Sequence, residues 1–192
     1  MSIARKEELF CANVLKSTFL SDTTLIAGDS EECHLPDLQT PTCEYGIEVT
    51  QLEKEKDFLP ISHLREDDEL FHAKDWVKQE YYSGLEKKHK KLNSGNYAGI
   101  SGNVDLCICA IRRATTVFYP HLILYLYKKI CEKQGGQEFQ KIFYISSQSV
   151  FVIYPQNVTK ITALEANGII YDFRIEGDNY IQEKKYEIND FL

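Results

Sequence analysis

The sequence contains few of the residues that interrupt or disorder a chain. Among its 192 residues there are only 10 glycines and 5 prolines, and no Gly/Ser-rich or Pro-rich stretch divides it. This excludes a disordered, collagen-like or low-complexity protein, and no internal repeat is visible. With 43% hydrophobic residues, the length suits one packed domain and is short for two. We expect a single domain over residues 1–192.

The chain also lacks the apolar segments that would direct it to or across a membrane. No window reaches the roughly 18 consecutive apolar residues of a membrane span, and charges within the first ten residues argue against a secretory signal. The six cysteines form no CxxC pair, which favours buried reduced thiols over disulfides or a zinc site. These features predict a cytoplasmic protein without a membrane partner.

An excess of positive charge is missing as well. The 22 Lys and Arg residues against 29 Asp and Glu residues give a net charge of -7, so there is no overall attraction to nucleic acid. The charge is nevertheless uneven, with a net +3 in residues 84–93 and a net -4 in residues 165–192. We therefore expect any phosphate backbone to contact Lys87, Lys90 and Lys91. The alternative is a solvated helix end whose lysines favour the macrodipole.

Hydrophobic periodicity predicts an α/β chain. Helices are expected over about 3–20, 74–92 and 117–133, and strands over about 23–27, 45–52, 104–111, 141–146, 150–154, 169–175 and 180–188. The nearly continuous apolar run at 104–111 is typical of an inner strand that is covered on both faces. The pattern predicts a β-sheet covered by helices on both faces over about 1–150, with a β-rich C-terminal extension over about 150–192. Residues 53–71 are expected to form a solvated excursion or a short helix.

Two carboxylates are candidates for a metal site. Asp37 follows Pro36 at a loop-to-strand junction, and Glu48 lies on the polar side of the strand at 45–52. Carboxylates on adjacent antiparallel strands converge, and Mg²⁺ or Mn²⁺ is held by one or two carboxylates together with water and phosphate oxygens. The alternative is that Pro-Asp forms an ordinary turn and that Glu48 is solvated.

A lysine falls on the apolar face of the helix predicted over 74–92. The stripe of Val77, Tyr81 and Leu85 continues to Lys88 and Leu92, so Lys88 should face the sheet. An unpaired buried ammonium is costly, and a carboxylate on the sheet would be its natural partner. The alternative is snorkelling, with the stem on apolar surface and the charge in water.

These residues together resemble a known superfamily. Pro36-Asp37, a short hairpin, then Gly46-Ile47-Glu48-Val49-Thr50, a lysine-bearing helix and an apolar strand resemble the PD-(D/E)XK, or restriction-endonuclease-like, nucleases. The resemblance covers residues 3–111 in element order. It implies a restriction-endonuclease-like core with a mainly four-stranded mixed sheet. It also implies Mg²⁺-dependent phosphodiester hydrolysis, with Asp37 and Glu48 as metal ligands and a lysine that positions the attacking water.

The sequence departs from the superfamily pattern at the motif lysine. That position, two residues after Glu48, is Thr50, which supplies no cation. Within the resemblance, a lysine from the neighbouring helix takes its place, with Lys88 as the first candidate and Lys91 as the second. The superfamily also often carries an acid on its first helix. Here that acid is Glu8 or its neighbour Glu7.

Two functions remain open at this point. One is a metal-dependent nuclease of bacterial or phage defence type, with DNA as its substrate by analogy. The other is a nuclease-like fold without catalysis that acts as a protein-interaction or nucleic-acid-binding module. Convergence of Asp37, Glu48 and the Lys88 amine within roughly 4 to 6 Å favours the nuclease, whereas a solvent-directed Lys88 with carboxylates pinned by hydrogen bonds to the backbone favours the module. Pairing of the C-terminal strands with a second copy would make a homodimer.

Overall fold

The structure is a computed structural model that describes residues 3–28, 34–51, 75–110, 118–146, 149–156, 160–165, 169–176 and 179–187. The helices are α1 (Ile3–Lys16), α2 (Asp75–Asn93) and α3 (Phe118–Gln134). The strands are β1 (Ile26–Ala27), β2 (Leu38–Gln39), β3 (Tyr45–Thr50), β4 (Asn103–Ala110), β5 (Ile142–Ser146), β6 (Ser149–Ile153), β7 (Lys160–Glu165), β8 (Ile169–Glu176) and β9 (Asn179–Glu187).

The described strands form a mixed sheet in which sequence neighbours are also sheet neighbours. Strands β3, β4 and β5 run parallel to one another, and all other neighbouring pairs are antiparallel. Parallel neighbours need a crossover connection, and α2 and α3 lie in the chain segments that join β3 to β4 and β4 to β5. The predicted α/β class, with a mixed sheet flanked by helices, is confirmed.

Two hydrophobic clusters cover the two faces of the sheet. On one face, the buried side chains of α2 and α3 pack with Leu106 and Ile108 of β4. On the other face, Leu15 of α1 packs with Cys107 and Cys109 of the same strand. Because successive strand residues point to opposite faces, the apolar run of β4 serves both clusters. This is the doubly covered position that the run predicts.

The first helix is shorter than its apolar spacing suggests. It ends at Lys16 rather than near Leu20, because the hydroxyls of Ser17 and Thr18 donate hydrogen bonds to the Val14 carbonyl. Such local bonds occupy the last free carbonyls of a helix and compete with another helical turn.

Two strands are absent from the predicted set. Strand β2 has only two residues, which is too short to show an alternation. Strand β7 was not predicted; it is defined by its pairing with β6 and β8. Sheet context rather than local preference decides such segments. The excursion predicted at residues 53–71 lies outside the described residues.

The burial of the cysteines follows the prediction for three of them. Cys11, Cys107 and Cys109 are buried, whereas Cys43 and Cys131 are only half-buried, because they lie in the β2–β3 turn and near the end of α3. Cys33 lies outside the described residues. None of the described helices has the length and apolarity to cross a membrane.

Candidate functional site

The two predicted carboxylates lie on neighbouring strands. Leu38 of β2 is directly opposite Ile47 of β3 in the antiparallel ladder. Asp37 precedes the first of these residues and Glu48 follows the second, so the two acids take the next facing positions of the hairpin. Leu38 and Ile47 pack towards α1, and alternation therefore directs Asp37 and Glu48 to the face covered by α2.

Helix α2 brings two lysines to Glu48. The Nζ atoms of Lys88 and Lys91 each donate a hydrogen bond of 2.7 Å to the same oxygen, Glu48 Oε1. The Glu48 side chain is only 1% exposed, whereas those of Lys88 and Lys91 are 19% and 34% exposed. The two ammonium groups therefore lie between the sheet and solvent, and they place positive charge directly on the buried carboxylate.

Strand β3 differs from the half-buried strand that its alternation suggests. Gly46, Ile47 and Glu48 are all buried, so the polar side of the strand is covered rather than solvated. Burial of a charged carboxylate needs a paired cation, and Lys88 and Lys91 provide it. The solvated alternative for Glu48 is therefore wrong.

Asp37 is held by the backbone and repelled by its neighbours. Its Oδ2 accepts a hydrogen bond of 2.8 Å from the Val49 amide. Burial, followed by the charge of Glu48, raises the pKa of Asp37 to about 6, and Glu8 on α1 adds to this effect. The Val49 amide and the Lys88 charge act in the opposite direction. Glu8 is thus an electrostatic neighbour of Asp37, whereas the side chain of Glu7 lies outside the described part of the chain.

The two acids of the pair are shifted in opposite directions. Burial of Glu48 opposes its ionisation, but the charges and hydrogen bonds of Lys88 and Lys91 outweigh this cost and lower its pKa. For Asp37, burial and then the charge of Glu48 outweigh the Val49 hydrogen bond and the charge of Lys88, so its pKa is raised. Neighbouring carboxyl groups with opposite shifts are a frequent feature of sites that divide acid and base roles.

Tyr97 is a member of the site that the sequence did not reveal. It lies in the loop between α2 and β4 and is 6% exposed. Burial raises the pKa of Tyr97, as do the charge of Glu48, whose side chain lies within hydrogen-bonding reach of the Tyr97 hydroxyl, and the charge of Asp37. The Nζ atom of Lys91 lies 5.1 Å from the centre of its ring. A loop tyrosine after an Asn-Ser-Gly-Asn turn gives no sequence signal of such a position.

The acidic pair offers donor atoms that suit a hard divalent cation. Glu48 Oε2 is buried and is not bonded to the two lysines, which both contact Oε1, and Asp37 takes the facing position of the hairpin, where burial and then the charge of Glu48 raise its pKa. Mg²⁺ needs only one or two carboxylates because it retains several waters. The described residues contain no group of three His, Cys, Asp or Glu that could hold a metal. Two carboxylates with retained waters would be enough to hold Mg²⁺ or Mn²⁺.

A third buried acid nearby does not extend this pair. Asp105 of β4 is 1% exposed and accepts hydrogen bonds from the Tyr45 hydroxyl at 2.6 Å and the Lys141 amide at 2.9 Å. Tyr45 packs with the α1 cluster, so Asp105 lies on the opposite face of the sheet from Glu48. Its oxygens hold strands β3, β4 and β5 together.

The lysines predicted to contact phosphate divide into two groups. Lys87 is exposed, and Lys90 is 62% exposed while pairing with Glu86 at 3.2 Å. Lys91 instead points inward to Glu48. The outward positive charge of this turn is therefore smaller than the sequence suggests, because two of its four lysines contact one buried carboxylate.

A cavity of about 710 Å³ lies beside the site rather than within it. Its lining includes Tyr97, uncharged polar residues such as Asn103 and Gln137, and apolar residues such as Leu92 and Ile100, whereas the carboxylate pair does not contribute. Tyr97 is thus the residue that the cavity and the acidic pair share.

No protein-family model matches the chain, and no curated protein or solved structure matches it.

Proposed function

We propose that the chain is a metal-dependent nuclease that hydrolyses phosphodiester bonds, with DNA as its substrate. The observation that carries this proposal is the arrangement of Asp37, Glu48 and Lys88: two acids on facing positions of a hairpin, and a helical ammonium 2.7 Å from one of them. This combination provides negative oxygens for a cation and a positive charge for a phosphate in one place.

The order of the elements also supports the proposal. A helix, three antiparallel strands, a helix and a parallel strand follow one another from α1 to β4. Asp37 adjoins the second strand, and Glu48 lies on the third. This is the arrangement from which the resemblance to the PD-(D/E)XK nucleases arises, and it supports a restriction-endonuclease-like core.

The residues of the site would have separate roles. Asp37 and Glu48 would hold Mg²⁺ or Mn²⁺, which when bound supplies Lewis acidity to a water and to the phosphate. Lys88, already oriented by Glu48, places a positive charge where negative charge develops on the phosphorane oxygens. Lys91 adds a second positive charge at the same carboxylate oxygen. Glu8 would add negative potential beside Asp37.

The lysine of α2 takes the role that Thr50 leaves open. Thr50 lies on the same face of β3 as Glu48, but its hydroxyl brings no charge. Lys88 reaches Glu48 from the opposite layer, so the site contains an ammonium although the strand does not provide it. Helix α2 would then be part of the catalytic site rather than only a cover of the sheet.

A second function is favoured by the closed pairing of the same charges. Both lysines contact Glu48 Oε1, and Asp37 Oδ2 accepts the Val49 amide. A buried charge network of this kind can also be purely structural. A catalytically inactive module that binds nucleic acid or a protein would need no more than this, with Lys87 and Lys90 as its outward cations.

Cleavage assays with a matched pair of variants test the nuclease proposal. Purified protein is incubated with supercoiled plasmid and with single-stranded circular DNA, in Mg²⁺, Mn²⁺ or EDTA. We expect metal-dependent cleavage that falls by about 100-fold or more in Glu48→Gln. Glu44→Gln, which removes the same charge from an exposed residue of the same hairpin, should cleave normally.

The outcomes separate the two functions. Circular dichroism checks that Glu48→Gln is folded, which we expect because the partly exposed Lys88 and Lys91 can turn to water. Full activity in folded Glu48→Gln would exclude the nuclease proposal. If the wild-type chain leaves both DNAs intact in every metal but retains them in a mobility-shift assay, the binding module is the better description.

A further inference from the structure

The cavity beside the acidic pair combines an apolar base with a polar rim. Its volume of about 710 Å³ falls within the range of about 300 to 1,000 Å³ that is common for small-ligand sites. Its buried lining residues are aliphatic or aromatic, namely Leu92, Tyr97, Ile100 and Val104. Its exposed lining includes residues with side-chain amides, namely Asn103, Gln137, Gln140 and Gln156. This lining suits a ligand that has an apolar face and a polar edge.

The rim of the cavity is held in place by hydrogen bonds. Gln140 Nε2 donates a bond of 3.0 Å to Asn103 Oδ1. The backbone of Gln137 is fixed to the end of α2, because its amide donates to Asn93 Oδ1 at 2.7 Å and its carbonyl accepts from Asn93 Nδ2 at 3.0 Å. The bond between Gln140 and Asn103 leaves the carbonyl oxygen of the first and the amino group of the second for a ligand. Asn and Gln recognise the edges of nucleobases through this combination of acceptor and donor.

The charges around the cavity favour a neutral group inside it and a phosphate beside it. Among the described residues that line the cavity, Glu138 is the only charged one. Positive charge lies at Lys91, whose Nζ atom is 5.1 Å from the centre of the Tyr97 ring and 2.7 Å from Glu48 Oε1. One aromatic side chain therefore separates the cavity from the lysines of the acidic pair. A nucleotide has the matching parts, a flat uncharged base and a charged phosphate.

We propose that the cavity binds a nucleobase of the DNA strand whose phosphate lies at the acidic pair. This inference rests on the proposed nuclease function and adds the class of substrate to it. A base within a duplex is covered by its partner and by its stacked neighbours, so it must leave the stack to enter the cavity. The aliphatic and aromatic residues then replace the stacking contacts, and the amides of Asn103 and Gln140 replace the pairing bonds. Unpaired DNA is therefore the favoured substrate.

Binding to two strands that differ only in their bases tests this proposal without catalysis. Fluorescence anisotropy compares a labelled DNA strand with an abasic strand of equal length, which has the same phosphates, in EDTA. We expect the wild type to bind the ordinary strand about 5- to 100-fold more tightly, because stacking of a base on an apolar or aromatic surface adds affinity that the phosphates do not supply.

Variants of the amide rim assign the difference to the cavity. Asn103→Ala and Gln140→Ala should each weaken binding of the ordinary strand by about 3- to 10-fold. Their affinity for the abasic strand should stay within about twofold of wild type, because phosphate contacts do not depend on these amides. The control is Asn13→Ala, which removes an exposed amide from α1, the helix on the other face of the sheet. This variant should bind both strands as the wild type does.

The outcomes separate this proposal from the nuclease proposal. Equal affinity of the wild type for the two strands, or an unchanged difference in both rim variants, overturns the base site, and the metal-dependent cleavage assay still decides the nuclease proposal. Base-dependent binding that both rim variants lose supports the base site, even if no metal produces cleavage and the nuclease proposal fails. If the wild type cleaves DNA, it should cleave a single strand faster than a linear duplex, and the reverse order would contradict the proposal.

Discussion

Asp37→Asn should stabilise the folded protein at neutral and alkaline pH. The charged carboxylate of Asp37 is partly buried, lies beside Glu48 and feels the charge of Glu8, and its pKa is raised to about 6 from 3.8. Asparagine keeps the shape of the side chain and an oxygen for the Val49 amide, but it removes the repelled charge. The substitution therefore relieves an electrostatic cost of the site without removing its hydrogen bond.

The sign and size of the effect follow from the raised pKa. Below about pH 3.8 the group is protonated in both the folded and unfolded states, so it contributes nothing. As the pH rises towards 6, the unfolded state loses its proton first, and the free energy of unfolding falls. With about 1.4 kcal/mol per pKa unit, the cost is about 1 kcal/mol at pH 4.5 and at most about 3 kcal/mol at pH 8. The gain from Asp37→Asn should grow over the same range.

Urea unfolding followed by circular dichroism at pH 4.5 and pH 8 measures this gain. The exposed neighbour Glu44 provides the control, because Glu44→Gln removes one negative charge from the same hairpin and should change the free energy of unfolding little at either pH. A gain in Asp37→Asn that is equal at the two pH values would refute the electrostatic cause. A loss of stability at pH 8 would show that the carboxylate stabilises the fold.

Two further substitutions test the packing that assembles the site. Lys88→Ala removes the cation that lowers the pKa of Glu48 most and should lower the free energy of unfolding by about 1 to 3 kcal/mol at pH 7. Lys87→Ala, on the exposed side of α2, should change it little. Equal urea midpoints for the two variants would contradict the pairing of Lys88 with Glu48. Gly46→Ala adds a Cβ that overlaps Pro36 Cγ. We therefore expect the free energy of unfolding to fall by about 1 to 3 kcal/mol, which thermal unfolding measures. An unchanged melting temperature would argue against the close approach of Gly46 and Pro36.

Much of the fold was predictable because periodicity reports burial directly. The three helices and the apolar strand β4 follow from the spacing of their hydrophobic residues, and their observed ends differ from the predicted ones by a few residues. Strands β2 and β7 were not predictable in this way. Their pairing with neighbouring strands decides their conformation, and a single sequence does not display such pairing.

The contact between Lys88 and Glu48 was predictable from the sequence, but the burial of Glu48 was not. The apolar stripe on α2 indicated that Lys88 faces the sheet. The alternation along β3 placed Glu48 on the other face from its apolar neighbours. Neither pattern shows that α2 covers the polar face of the strand, which depends on how two layers dock. Tyr97 gave no signal for the same reason, since a loop residue acquires its role only from what the loop packs against.

The distribution of charge explains why the two acids behave differently. Three acids (Asp37, Glu48 and Glu8) and two lysines (Lys88 and Lys91) interact electrostatically at the site. When all five are ionised, the group carries one excess negative charge. Both cations bond to one oxygen of Glu48 and lower its pKa, whereas burial, and then the charge of Glu48, raise the pKa of Asp37. A divalent cation would reverse this excess and draw Asp37 into its charged form. Because the lysines are bonded to Glu48, a bound cation would gain more electrostatic stabilisation beside Asp37 than beside Glu48.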